Sequence, residues 1–417
     1  MKNRISLALY CALLAAAGRA ESNGNAPTFS KDVAPIIYRN CASCHRSGEI
    51  APMSLLTYEE VRPWAKAIRE KVSLGQMPPW HANAPRGAFS NDRRLTDQEK
   101  DTLIRWAGNG APQGDPKDLP PAPKFADGWE IGKPDAVIAM AKSYDVPASG
   151  TVAYQYFTAP TNFTEDKWIQ AIEVRPGARK VVHHILVFAR APENAPPETG
   201  YLQVVPKLGS GGARGEGRGA LIATTAPGTN ALVFDPGTAL LIKAGSVLTF
   251  QVHYTASGAA AADRSSVGVI FAKEPPRQRI RTSAFMNPLF RLPPGAPNEA
   301  VESAIEFTED VHIYALFPHT HLRGKSWEYR MVYPDGRKET VLSVPQYDFN
   351  WQTYYVFAKP LAVPKGARLE ATAHFDNSPN NKFNPDATVE VRWGEQTWQE
   401  MQYSGITYAI DAPPPAR

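Results

Sequence analysis

Hydrophobic positions along this chain follow two different periods. Between residues 26 and 111 they recur at helical spacing. "LLTYEEVRPWAKAIREKVSLGQ" sets apolar residues three and four apart, and "LTDQEKDTLIRWAGNG" opens on a Thr cap and closes on Gly. The proline-rich "APQGDPKDLPPAPKFADG" that follows predicts a stiff linker over 112–128. From residue 129 the period falls to two. Short alternating runs such as "WIQAIEVR", "VVHHILVFAR", "SVLTFQVHYTA" and "VGVIFAKE" are separated by Pro, Gly and Asn, and "PDGRKE" between "RMVY" and "TVLSV" predicts a hairpin. This β region runs to roughly 285 residues, too many for one sandwich of about 100. Two all-β sandwiches in tandem are expected, over 129–276 and 277–412, joined near "EPPRQR". "KLGSGGARGEGRG" predicts a mobile loop over 207–219. The chain therefore reads as multidomain, an all-α domain over 21–111 followed by two all-β domains.

A chain of 417 residues has room for these cores, and 43% hydrophobic with 21% charged residues is an ordinary globular composition. The first twenty residues, "MKNRISLALYCALLAAAGRA", change the picture. Lys2 and Arg4 precede an apolar run from Ile5 to Ala17, and Gly18-Arg19-Ala20 offers a cleavage site. This predicts a secretory signal over 1–20 and a periplasmic or secreted product. A lipoprotein anchored at Cys11 would want a small residue where Tyr10 stands. The formal charge is +4; loss of Lys2, Arg4 and Arg19, with no acid, leaves +1, which argues against nucleic acid as a partner. No later run approaches the ~18 apolar residues of a transmembrane segment.

Of 3 cysteines, Cys11 leaves with the signal, so Cys41 and Cys44 cannot build a disulfide framework. "NCASCH" places them with His45 as C-x-x-C-H, in which two thiols attach a haem c covalently and the histidine is its axial ligand. A redox dithiol would want a β-α-β setting, and a zinc site a second cysteine pair. For the other haem face, Met77 in "GQMPPW" follows a helix on a proline-stiffened loop. Met53 lies close to His45 with little chain to travel round the ring, and His81 is the outside alternative. The segment resembles a small class-I c-type cytochrome domain.

The chain has 9 histidines. Beyond His45 and His81 they cluster in the β region: His183 and His184 in "VHHILVF", His253 in "FQVHY", and His319 and His321 in "FPHTHLRG", with His312 and His374 nearby in sequence. Three imidazoles make a complete donor set for a metal with an open position. In an extended strand residues i and i+2 share a face, so His319 and His321 aim at one spot and need a third donor. "WGEQTWQEMQYSGITY" offers Met401. A lone methionine is more often core than ligand, but imidazole with thioether is a donor set that copper prefers and zinc does not.

In this order "VHHILVF", "FQVHY", "HIYALFPHTHLRGK" and "GEQTWQEM" resemble the copper type II, ascorbate-dependent monooxygenases, which include peptidylglycine α-hydroxylating and dopamine β-monooxygenases. The resemblance covers about 129–412. It implies two jelly-roll-like copper domains, with one copper on His183, His184 and His253. A second would sit on His319, His321 and Met401, the catalytic set where oxygen is activated. His312 matches a family histidine near that site but not bound to it; His374, in a stretch like the bacterial branch, is assigned no ligand role. The implied reaction puts one atom of O2 into a C–H bond of a small organic substrate and releases the other as water. Its electrons would come from ascorbate, a redox partner protein, or both, entering through the cytochrome domain. Two departures stand out. The β region has no cysteine. The peptide-hydroxylating branch has an arginine two residues before the first HTH histidine, and an Asn and a Tyr shortly after the methionine; here these are Phe317, Tyr403 and Gly405. With that carboxylate clamp missing, a glycine-extended peptide is not the expected substrate. Two rival readings are a haem and copper electron-transfer or copper-handling protein without oxygen chemistry, and a cytochrome fused to a β-sandwich recognition module.

Overall fold

A computed structural model describes residues 26–49, 51–125, 128–193, 203–204, 219–226, 229 and 231–411. The expected signal over 1–20 and most of the expected loop over 207–219 lie outside the described residues. The architecture is mostly β-sheet with few helices. No helix among the described residues is long and apolar enough to cross a membrane.

Short α-helices run Ala34–Asn40, Tyr58–Val61, Ala65–Ser73 and Asp97–Gly108. Two begin at capping boxes, Thr57 with Glu60 and Thr96 with Glu99, which satisfy backbone N–H groups that have no partner inside the helix. The continuous helix suggested by "TYEEVRPWAKAIREKVS" is interrupted at Arg62–Trp64, where proline tightens one turn to 3-10 geometry. Phe29, Ile37, Leu103 and Trp106 close a core for this segment.

Residues 80–91 leave that core. Trp80 and Phe89 are buried among the aromatic side chains of the second β core, with Trp80 ring-to-edge on Tyr355 at 5.2 Å. Phe89 pairs with Phe357, and Asn83 N–H donates to the Ser343 carbonyl at 2.8 Å. The loop after Met77 is thus tied down by the β region.

The β region has two apolar cores, as a tandem sandwich requires, but they share one sheet. A nine-stranded sheet runs Ala136–Ala139, Ser266–Phe271, Lys167–Arg175, Thr238–Ile242, Gln278–Met286, Tyr403–Ile410, Val311–His319 and Tyr355–Val363, with Leu232–Val233 added at one side. Its first half packs on a four-stranded sheet of Gln155–Pro160, Val247–Tyr254, Val182–Arg190 and Ala220–Thr225. Its second half packs on a five-stranded sheet built round Gly324–Val332 and Arg368–Phe375. The join expected near 277 is where Gln278–Met286 pairs in parallel with Thr238–Ile242, so hydrogen bonds run across the boundary. The expected hairpin is present, Gly324–Val332 against Lys338–Val344, with Gly336 at φ 86° in its turn.

Candidate metal centre

Val182–Arg190 pairs antiparallel with Val247–Tyr254, and the register puts His253 opposite His184 and Tyr254 opposite Val182. His183 is the extra residue of a β-bulge. Adjacent strand residues normally point to opposite faces; a bulge re-aims one of them. The consequence is that His183, His184 and His253 bring one ring nitrogen each within 4.8 Å of one another. Their ring centroids are 5.0 to 5.3 Å apart.

The second group forms at a strand end. His319 is the last residue of Val311–His319 and His321 lies in the turn beyond it, with ring centroids 5.2 Å apart. Gly324 closes this turn, donating its N–H to the His321 carbonyl at 3.1 Å; a Cβ there would strike the Thr320 side chain. Glu400 fastens the turn from behind. One carboxylate oxygen accepts from the N–H of His321 at 2.8 Å and of Met401 at 3.2 Å, and the other accepts from the Arg323 N–H at 2.6 Å. The backbones of Met401 and His321 are held by the same atom. Tyr403, two residues on, lies opposite His319 in the sheet.

The two groups face each other. His184 and His319 have ring centroids 6.4 Å apart. Gln352 lies across the gap: its carbonyl oxygen accepts from His319 Nδ1 at 3.0 Å, and its amide nitrogen lies 3.3 Å from His184 Nδ1, which is also 3.0 Å from His183 Nδ1. Phe349 stacks on His183 at 5.2 Å and touches His321 at 6.0 Å; Tyr154 stands 4.9 Å from His253 and 6.3 Å from His321.

Burial sets the electrostatics. It pushes His183 and His319 down to about 4 and His253 to about 3, and drives His184 and His321 well below the usual imidazole range, so every ring is neutral at pH 7. His321 donates Nδ1–H to the Gln399 carbonyl at 3.2 Å, which leaves the lone pair on Nε2. That nitrogen, His184 Nε2 and His253 Nδ1 are buried without a hydrogen-bond partner. Buried polar atoms without partners are costly, and both groups carry them. Neutral imidazoles with idle nitrogens fit a copper ion in each group.

Tyr154, Phe349, Asn350, Gln352 and Gln399 carry no metal-donor signature, and the Glu400 carboxylate is taken up by backbone N–H groups, so the residue pattern does not disclose their part in this site. The one signal for the 348–352 group is that 345–354, "PQYDFNWQTY", is a long, aromatic-rich connection between strands. His312 departs from expectation. It stands at the other end of the strand from His319, roughly 23 Å away at the rise of an extended chain, with Nδ1 2.7 Å from Asp411. His374 contacts Ser326 on the outer sheet. Phe317 stacks on His319 at 6.0 Å and on Tyr354 at 4.5 Å, and lies opposite Gly405, where a Cβ would press on it at 3.0 Å.

At the helical end Cys41 and Cys44 are free thiols, and burial pushes Cys41 up to about 12, which disfavours a reactive thiolate. His45 Nδ1 is buried without a partner; burial lowers the ring's pKa, opposed in part by the Met53 backbone. Met53 packs on the same core as Cys41. Met77 lies just ahead of the anchored Trp80, and the carboxylate of Asp348 acts on His81. Cys44 and Glu49 share a cleft of about 50 Å³ with Arg179, Val182 and His183, and Arg179 bonds Glu49 at 3.3 Å.

Residues 292–409 match the family described as copper type II ascorbate-dependent monooxygenase, C-terminal domain. The matched residues include His319, His321 and Met401. No curated protein matches the sequence. Among solved structures, the major capsid protein P2 from bacteriophage PM2 is 11% identical, over 68% of this chain and 99% of that one, at a TM-score of 0.29. A structure of infectious bursal disease virus, Gt strain, is 9% identical over 67% and 71%, at 0.18. Scores this low establish no common fold.

Proposed function

We propose, from the match of residues 292–409 to the copper type II ascorbate-dependent monooxygenase C-terminal domain, that this chain is an exported copper-dependent oxidoreductase. It inserts one atom of O2 into a C–H bond of a small, uncharged organic substrate. The observation that carries this reading is the convergence of His183, His184, His253, His319 and His321, with idle nitrogens buried in both groups. His183, His184 and His253 would hold one copper, and His319, His321 and Met401 the other. Copper bound there supplies one-electron redox chemistry toward dioxygen.

The chain's own residues prepare the site. The Gln399 carbonyl and the Gln352 amide fix the His321 and His319 rings. Glu400, backed by buried Arg323, holds the Met401 backbone against the turn. Burial keeps water out and the imidazoles uncharged. Phe317, Tyr354 and Tyr403 form an aromatic wall beside His319 where a carboxylate clamp would stand. A separate cavity of about 300 Å³ shares only Tyr354 with that wall and is lined by Arg93 and Asp235 as well as by Ala315, Val356 and Phe357, at the lower end of small-molecule sites. The aromatic wall beside His319 supports an apolar or aromatic substrate without a carboxylate.

Cys41, Cys44 and His45 would hold a haem c, with Met77 the proposed sixth ligand; the free thiols and the unpartnered His45 nitrogen support it. A haem there supplies one electron at a time. Because Cys44 and His183 share a cleft, reducing equivalents gathered by the helical segment would arrive at the trio's side of the centre. Ascorbate or a reduced donor protein would deliver them. The reading is tested with the full copper-loaded chain, ascorbate, 18O2 and a panel of aromatic and apolar compounds. One 18O per product, lost in His321→Ala, is expected. Oxygen uptake without an 18O-labelled product, or product formation that survives His321→Ala, overturns it and leaves an electron carrier.

A further inference from the structure

We infer, resting on the copper reading above, that Asp263 is the positioning residue of the histidine trio. Its buried carboxylate ties the chain ahead of His183 to the strand of His253, and so fixes the bulge that brings the three rings together. Asp263 ends a short strand, Ala261–Asp263, paired with Tyr144–Val146, and none of its surface is exposed. One carboxylate oxygen accepts from the Ala178 N–H at 2.7 Å. The other accepts from the hydroxyls of Tyr254 and Ser265, each at 2.8 Å. A carboxylate taken out of water is costly unless such bonds replace its hydration.

Two of the three bonds lead to the trio. Tyr254 follows His253 in the chain, and its ring stacks on Tyr144 at 5.0 Å, so ring and hydroxyl together fix the strand end that carries His253. Ala178 acts as a pivot. Asp263 holds its N–H, while its carbonyl accepts from the N–H of Val181 at 3.1 Å and of Val182, the residue before His183, at 3.2 Å. Beyond the bulge the Thr255 N–H donates to the Val181 carbonyl at 2.8 Å, which closes the ladder again. Tyr254 lies opposite Val182, and His253 opposite His184. His183, the skipped residue, therefore stands between two positions that both refer back to one carboxylate.

The loop before the pivot is fitted to this approach. A Cβ at Gly177 would stand 2.7 Å from the Arg264 backbone, and the Gly177 N–H reaches the Ser265 hydroxyl at 3.4 Å. A bulge aims a side chain only as well as its flanks are fixed. Ligand rings must be held to within about 0.5 Å of their working geometry. Asp263 acts on the rings through Ala178 and Tyr254.

The test uses the full chain loaded with Cu(II). Copper is withdrawn by a competing chelator, and the trio's share is the part that His253→Ala lacks. Its imidazole nitrogens are read by pulsed electron paramagnetic resonance. Asp263→Ala should weaken the trio's copper about tenfold or more and alter the nitrogen couplings, while the pair's copper stays. Asp263→Asn keeps an acceptor for Ala178 and a polar partner for both hydroxyls, and should restore most of the affinity. A lower melting temperature in Asp263→Ala with the trio's copper affinity and nitrogen couplings unchanged overturns the proposal and leaves the copper reading intact. Should Asp263→Ala not fold, Tyr254→Phe removes one hydroxyl and decides: weaker copper at the trio is expected, and unaltered copper there overturns the proposal. Wild-type protein with no copper that depends on His253 defeats the copper reading itself, and this inference with it.

Discussion

The trio and the pair are both clusters of buried neutral imidazoles, yet they are built in opposite ways. His183, His184 and His253 sit on two paired strands, and a bulge in the ladder supplies the one irregularity their convergence needs. His319 and His321 sit where a strand ends, and their convergence depends on Glu400, Gln399 and Gln352 from other parts of the chain. His183 of the trio lines one cleft with Cys44 and Glu49 of the helical segment; the pair meets an aromatic wall. Rigid ladder against buttressed turn is the division expected of a centre whose one end only passes charge. Its other end must also admit a substrate.

The sharpest break in that division should come from deleting one ring on each side. His321→Ala should lower hydroxylation by on the order of 10³-fold or more, while the trio keeps its copper. His253→Ala should instead remove the trio's copper and leave copper bound at the pair. Metal content and product formation, measured together, check both; loss of both coppers in either variant would show that the groups cannot be loaded separately.

Acid should act on both groups at once and so tests what they share. Burial holds His183 and His319 at about 4 and His253 at about 3, against about 6.5 in an unfolded chain. Above pH 6.5 folded and unfolded rings are both neutral, and these groups add no pH dependence. Below it the unfolded chain takes up protons that the folded one refuses, so stability falls with pH by up to about 1.4 kcal/mol per ring per pH unit. The metal-free protein should therefore lose stability steeply from pH 6.5 toward pH 4 in thermal melts. Copper loading should displace the loss to lower pH. A flat melting temperature across that range would mean the rings are not neutral and buried.

What the residue pattern disclosed tracks the same division. The Thr96 cap and the hairpin at Gly336 were legible because each depends on residues close in sequence, and the histidines of both groups because their residue type marks them. The bulge was not, since nothing in "VHHILVF" says which residue the ladder will skip. Nor was the shared sheet: parallel pairing of Gln278–Met286 with Thr238–Ile242 joins two stretches that each read as an ordinary strand. Trp80 looked like part of a haem-side loop and Phe89 like part of the helical domain, and both instead fill the second β core, because a proline-rich run discloses rigidity and not destination. Phe349, Gln352 and Glu400 stayed hidden because they act by hydrogen bonding and contact, which leave no spacing to find.

The buttress can be removed without touching a ring. Glu400 is fully buried, accepts three backbone N–H bonds, and is pushed up to about 7 by burial against those bonds and Arg323. Glu400→Ala leaves those donors unpaired and should destabilise the protein by about 3 kcal/mol or more. The damage should be local: weaker copper binding at the pair, and loss of the copper–sulfur contribution in X-ray absorption if Met401 is the third donor. The trio's copper should stay. An unchanged sulfur contribution in this variant would show that Glu400 does not set the Met401 position.

The smallest effect on stability is expected where the trio meets the helical segment. Arg179 and Glu49 are bonded at 3.3 Å and partly exposed, and a pair of that kind contributes at most about 1 kcal/mol. Arg179→Glu places like charges across the interface, so the cost should stay within that order and shrink with added salt. Its effect on electron supply should be larger than its effect on folding, because Arg179 and Glu49 line the same cleft as Cys44 and His183. Turnover driven through a reduced donor protein should fall, while turnover driven by excess ascorbate should change less. Charge reversal that leaves both rates equal to wild type, in a protein that melts normally, would mean that the Cys44 side of the trio is not where electrons enter.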